Sequence, residues 1–127
     1  MSPSMTYLYI AIGGASGACL RFFVNQIAIT WFGKGFPFGT LIVNIAGSFL
    51  LGLIYALIEQ GQVAVGPWRS LLAIGFLGAL TTFSTFSMDT LLLMQQGHWV
   101  KSGLNVALNL GCCLLAAWLG MQMIAHK

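Results

Sequence analysis

An all-α integral membrane protein of four transmembrane helices is the fold class that this sequence predicts, and three observations predict it. Hydrophobic residues make up 58% of the 127, and the mean hydropathy is +0.90. Charged residues make up only 6%: Arg21, Lys34, Glu59, Arg69, Asp89, Lys101 and Lys127. A soluble domain carries about a quarter, so this chain cannot cover a water-facing surface. The apolar residues also gather into four stretches, each matching the roughly 20 residues a helix needs to cross hydrocarbon.

The first stretch runs over about residues 6–32 and encloses Arg21. It is longer than a straight span needs, which leaves two courses: a tilt, or a bend of its end, from Phe22 to Trp31, along the interface. The second runs over about 38–58, the third over about 68–94 and the fourth over about 102–125. The breaks carry turn residues, "GKGFPFG" (33–39), "EQGQVAVGP" (59–67) and "QQGHWVK" (95–101). Trp31, Phe32, Trp68 and Trp99 stand near span ends, as an interfacial aromatic belt requires. The runs are too long and too evenly apolar for the alternating strands of an outer-membrane barrel. Residues 1–127 therefore read as one four-helix membrane domain. No charged segment opens the chain, so its apolar start is expected to be the first span and not a cleaved leader.

Composition excludes other classes. The net charge of +3 forms no basic run that would hold a nucleic acid. Cys19, Cys112 and Cys113 lie in apolar stretches and read as small buried residues. No nucleophile–base pair or metal-ligand spacing marks an enzyme, and His98 and His126 fall in a loop and at the C-terminus.

The loop charges are balanced. With the N-terminus on the cytoplasmic side, Arg69 and Lys127 lie there, and Lys34 and Lys101 lie opposite. Orientation follows the lysine and arginine bias, which is close to zero. Either the chain inserts both ways and pairs antiparallel, or four charges are too few to count. Four short helices leave little lumen, so a transport function implies an oligomer. Small residues at Gly13/Gly17, Ser48/Gly52 and Ala116/Gly120 allow close helix contact.

One stretch demands a special account. TTFSTFS (81–87) puts five hydroxyls and two phenylalanines at mid-membrane in the third span. Single hydroxyls in such helices usually bond back to the i−4 carbonyl. Five in seven residues, preceded by Gly75 and Gly78, predict a weakened, unwound turn. Carbonyls freed there are costly in hydrocarbon unless protein, water or a cation meets them. Phe83 and Phe86, at i and i+3, share a face and can offer positive ring edges to an anion. Asn44, Asn105 and Asn109 add N–H donors, with the last two at i and i+4. Donors and ring edges without a lysine suit a small, hard, strongly hydrated anion.

"GGASGACLRF" (13–22), "PFGTLIVNIAGSFLLG" (37–52) and "GFLGALTTFSTFS" (75–87) resemble the signature stretches of the CrcB/Fluc family of bacterial fluoride channels, over nearly the whole chain. That resemblance implies an antiparallel homodimer in the bacterial inner membrane, passing fluoride passively through two pores built from both copies. It also implies a structural sodium ion at the interface, bound by main-chain carbonyls of Gly78 and Thr81 and not transported. Phe83, Phe86, Asn44, Ser84, Thr85, Asn105 and Asn109 fall on the family's pore positions, and Arg21 on its vestibule arginine. Asp89 stands where the family's usual residue is glutamate. The competing expectation is a small dual-topology multidrug or cation efflux transporter, which needs a membrane-embedded acid. A non-transporting membrane subunit would explain the packing residues but not TTFSTFS.

Overall fold

The computed structural model describes residues 2–62 and 66–125. Lys127 and His126, weighed above, lie outside the described residues. The chain is helical, with four helices long and apolar enough to cross a membrane: Pro3–Phe32, Phe38–Glu59, Gly66–Gln95 and Trp99–Ile124. No strand occurs among the described residues.

Helix α1 (Pro3–Phe32) starts where sequence rules place a start. The Ser2 hydroxyl accepts from the Met5 N–H at 3.3 Å, and proline fills the first turn, where a missing N–H costs nothing. The helix is continuous through Trp31, so its end does not turn along the interface. Thirty residues reach about 45 Å, more than the hydrocarbon core, so its excess length is carried by tilt or by protruding ends. It stops at Gly33, whose φ of 77° disfavours any other residue. Helix α2 (Phe38–Glu59) follows.

The third span is irregular. A short α3 (Gly66–Trp68) leads into a nine-residue π-helical segment, Arg69–Leu77, then α4 (Gly78–Leu80). Thr81 and Thr82 are extended, and α5 (Phe83–Gln95) completes the span. Long π-helical stretches are rare and mark functional sites more often than chance. Helix α6 (Trp99–Ala125) is the fourth span.

Packing follows the small residues. Helix α1 lies mainly against the π-helical segment, and α2 mainly against α6. A Cβ on Gly13 would strike the Leu71 carbonyl, and one on Gly17 the Phe76 carbonyl. At the second contact, Gly52 faces the Ala117 carbonyl and Gly120 the Phe49 carbonyl. Lipid tails are as apolar as leucine, so association in the membrane rests on such close approach and on polar links. The innermost apolar cluster is small, Val43, Leu77 and Leu80. Only 11–33% of each span's most apolar window is buried inside the chain. The rest faces outward, as a lipid or protein contact requires.

Candidate functional site

The site grows from the break at Thr81 and Thr82. Two extended residues in mid-span strand several backbone groups, and each must find a partner. The Thr81 N–H still reaches the Leu77 carbonyl at 3.1 Å. In an unbroken helix the Thr82 N–H would bond the Gly78 carbonyl; here it donates to Asn44 Oδ1 at 2.8 Å. Asn44 Nδ2 returns a bond to the Thr82 carbonyl at 3.2 Å. Arg21 Nε donates to the Ala79 carbonyl at 3.0 Å, so α1 also supports the break. The Thr81 carbonyl receives no hydrogen bond among the described residues.

The five hydroxyls divide their work. Thr81 and Ser87 bond back to the Leu77 and Phe83 carbonyls at 3.0 and 2.9 Å. Thr82 caps α5, accepting from the Thr85 N–H at 3.1 Å, and its hydroxyl also reaches Thr85 Oγ1 at 3.2 Å. Ser84 is exposed, and its one side-chain hydrogen bond among the described residues is with the Thr82 hydroxyl, at 3.2 Å. The capping role explains part of the hydroxyl density: a helix restarting inside a membrane needs an N-cap of its own.

Gly78 precedes the break without itself being unwound. Its φ of −61° and ψ of −36° are helical, and the unwinding falls three residues later. Within one copy the nearest atom to a Cβ there is the Ala73 carbonyl oxygen at 3.6 Å, so neither the backbone conformation nor crowding demands glycine.

The asparagines form a continuous polar link. Asn44 Nδ2 donates to Asn109 Oδ1 at 2.9 Å. Asn109 Nδ2 donates to the Asn105 carbonyl and Oδ1 at 2.9 and 3.0 Å. Asn105 Nδ2 donates to Thr90 Oγ1 at 3.0 Å, and Thr90 donates to the Phe86 carbonyl at 2.8 Å. The chain ties α2, α6 and α5 to the break. It also uses both Nδ2 hydrogens of Asn44, which the sequence reading left free.

Three cavities surround these groups. One of about 200 Å³ is walled by Asn44, Thr81, Phe83, Phe86, Asn109 and Cys113, with Ser48 beside them. Phe83 and Phe86 meet edge to face there, with centroids 5.3 Å apart and planes at 63°. Phe86 is 7% exposed and Phe83 72%. Cavities of about 220 and 250 Å³ lie between α1, α2 and α5. Arg21 and Thr85 belong to this second side of the molecule, as do the half-buried Asp89 and the exposed Lys34. Asn105, 0% exposed, and the exposed Ser84 line none of the three. One copy thus divides the residues singled out by sequence between two faces.

Sequence reasoning missed Asn25, Thr40, Ser48 and Cys113 as cavity residues. Helical spacing held part of the signal. Thr40, Asn44 and Ser48 repeat every four residues on α2, as Asn105, Asn109 and Cys113 do on α6. The expectation that Cys113 is merely a small buried residue is corrected: it is half-buried in a cavity wall. Asp89 Oδ2 is buried and unbonded among the described residues.

The sequence is also similar to known proteins. Residues 8–121 match the family model described as "CrcB-like protein, Camphor Resistance (CrcB)". A protein of Shewanella amazonensis named "Fluoride-specific ion channel FluC" is 61% identical over 121 residues, which cover 94% of this chain and 96% of that one. Proteins of the same name from Pseudoalteromonas translucida and Vibrio vulnificus are 57% and 54% identical, covering 93% and 91% of this chain and 98% and 92% of theirs. These relatives are named as ion channels, not as enzymes. With residues 8–121 matched by the family model and its relatives aligned almost end to end, this chain belongs to the CrcB family.

Proposed function

We propose that this protein is a fluoride-selective channel that lets fluoride leave the cytoplasm down its gradient. The observation that carries the proposal is the mid-membrane break: Asn44 clamps Thr82, and the Phe83–Phe86 pair opens beside it onto a cavity. The two rings beside that cavity can offer positive edges to a small anion without a fixed charge to trap it. The high identity to relatives named fluoride-specific ion channels supports the same reading.

The functional unit is an antiparallel homodimer in the bacterial inner membrane, with two pores that each draw on both copies. Two features support this. Phe83 lines the cavity yet is 72% exposed, so the wall is incomplete in one chain. The polar residues also lie on two faces, and a second copy would bring unlike faces together.

A structural sodium ion fits the break. The Thr81 carbonyl has no donor among the described residues, and the Thr82 N–H has turned from the Gly78 carbonyl to Asn44. Such main-chain oxygens are hard ligands suited to a hard cation. When bound, the ion would offset the cost of carbonyls left without donors in a low-dielectric interface. Asp89 keeps the efflux-transporter reading in the test, since it puts one acid in a span.

Reconstitution in liposomes tests the proposal. Fluoride efflux is expected with chloride retained, no proton-coupled uptake of cationic drug, and no sodium-22 movement matching fluoride. Chloride passing as readily as fluoride, or drug uptake without fluoride flux, overturns it. Two C-terminal reporters, one active only inside the cell and one only outside, should both give signal, and strong signal from a single side would refute dual insertion; two lysines added beside Lys34 should bias insertion and lower flux.

A further inference from the structure

The two cavities between α1, α2 and α5 share Asn25, Gly39, Thr40 and Thr85. They therefore adjoin as two wings, and these four residues form the neck between them. One wing carries Arg21, the other Lys34 and Asp89. Asn25 is the residue of α1 that lines both.

Asn25 has no structural employment. It is half-buried, and its side chain makes no hydrogen bond among the described residues, although Asn44, Asn105 and Asn109 are all engaged. Its amide atoms are open to the space around them and not sealed in protein. The fold also makes room for it: a Cβ on Gly39 would lie 2.5 Å from Asn25 Oδ1 and 2.7 Å from its Cα. Glycine at 39 is the notch in which the amide sits. Beside it, Thr85 Oγ1 accepts from Thr82, leaving its own proton to donate.

We propose that the Asn25 amide is an anion-handling group at this neck. Its Nδ2 hydrogens, with the Thr85 hydroxyl, replace part of the water shell of fluoride moving between the Arg21 wing and the Lys34 wing. A neutral donor between two cations suits passage, because a site that conducts must bind enough to admit an ion and weakly enough to release it. This inference rests on the fluoride-channel reading.

The test uses the full chain in liposomes. Asn25→Asp keeps the size but replaces donors with a negative acceptor, and should cut fluoride efflux by about tenfold or more, while Asn25→Gln stays within about threefold of the parent. Asn25→Cys provides the second arm, with the untreated parent and the parent treated with the same reagents as controls. A positive aminoethyl-thiosulfonate adduct should leave efflux at least about fivefold faster than a negative sulfonatoethyl adduct of similar size. A residue that merely packs would respond alike to both charges. Equal inhibition by the two adducts, or Asn25→Asp conducting within about twofold of the parent, overturns the inference. Should Asn25→Asp not fold, the adducts alone decide. A parent that passes no fluoride overturns the channel reading first and this inference with it, an outcome distinct from a conducting parent whose position 25 is indifferent to charge.

Discussion

Asn44 and Thr82 exchange two hydrogen bonds across the interrupted third span, one at 2.8 Å into Asn44 Oδ1 and one at 3.2 Å from Asn44 Nδ2. A single side chain on α2 thus replaces the backbone acceptor that the Thr82 N–H lost at the break, and adds a bond to the Thr82 carbonyl. Asn44→Leu keeps the bulk and strands the Thr82 N–H and Asn109 Oδ1. Each buried group left without a partner costs about 1–3 kcal/mol, though bonds inside membrane proteins run to the lower end. The expected loss is about 2 kcal/mol of stability, read as a lower midpoint of thermal unfolding, together with loss of fluoride flux. An unchanged midpoint would show that the break does not depend on this clamp.

Close approach at Gly17 gives a second expectation. A methyl there meets the Phe76 carbonyl and lies 3.0 Å from the Leu80 nitrogen. Backbone cannot yield as a side-chain tip can, so Gly17→Ala should destabilise by about 1–3 kcal/mol. Gly103→Ala is the control: nothing lies within 4 Å of its Cβ in one copy, and alanine gains helix propensity. Thermal unfolding in detergent of the two variants, side by side, is the measurement. Equal effects would mean that the contact between α1 and the π-helical segment does not limit stability.

Phe83 and Phe86 should separate flux from folding. Phe83 is mostly exposed in one copy, so Phe83→Ile removes little packing inside the chain. It does remove a ring edge. Fluoride efflux is expected to fall by more than about tenfold, or roughly 1.4 kcal/mol in the barrier, with the unfolding midpoint nearly unchanged. Phe86, buried against its neighbours, should lose both. Normal conduction by isoleucine and leucine variants at both positions would remove the aromatic part of the mechanism.

Gly78 offers a probe of what lies outside the single chain. Its backbone is helical and its nearest neighbour to a Cβ stands at 3.6 Å. Gly78→Ala should therefore fold without strain in one copy. If Gly78 faces a second copy across a sodium site, Gly78→Leu should shift the protein to monomer on gel filtration and abolish flux. Thr81→Ser, which keeps the main chain and the hydroxyl bonded to Leu77, should conduct normally. A fully dimeric and active Gly78→Leu would refute a sodium-bridged interface at this residue.

The sequence by itself determined the class and the count. So few charges among so much apolar surface permit only a membrane chain, and four runs of spanning length permit only four helices. It also located the weak point, because glycines followed by five hydroxyls are poor helix formers at a depth where little else could excuse them. The turns were legible for the same local reason: Gly33 and Gly97 take the positive φ that other residues resist.

What only the tertiary structure decided is which polar group answers which. That Thr82 and not Gly78 is unwound, that Asn44 spends its amide on the break, and that Arg21 supports Ala79 all depend on residues 38–58 positions apart in the chain. The same holds for Asn25, an ordinary residue in an apolar helix until α2 presents Gly39 opposite it. Helical periodicity assigns a side chain to a face, and hydrophobicity assigns it to a membrane. Neither names the partner on the next helix, because inside a bilayer apolar surface gains nothing by choosing protein over lipid. Close contacts at glycine and hydrogen bonds between distant residues make that choice, and both exist only once the helices are packed.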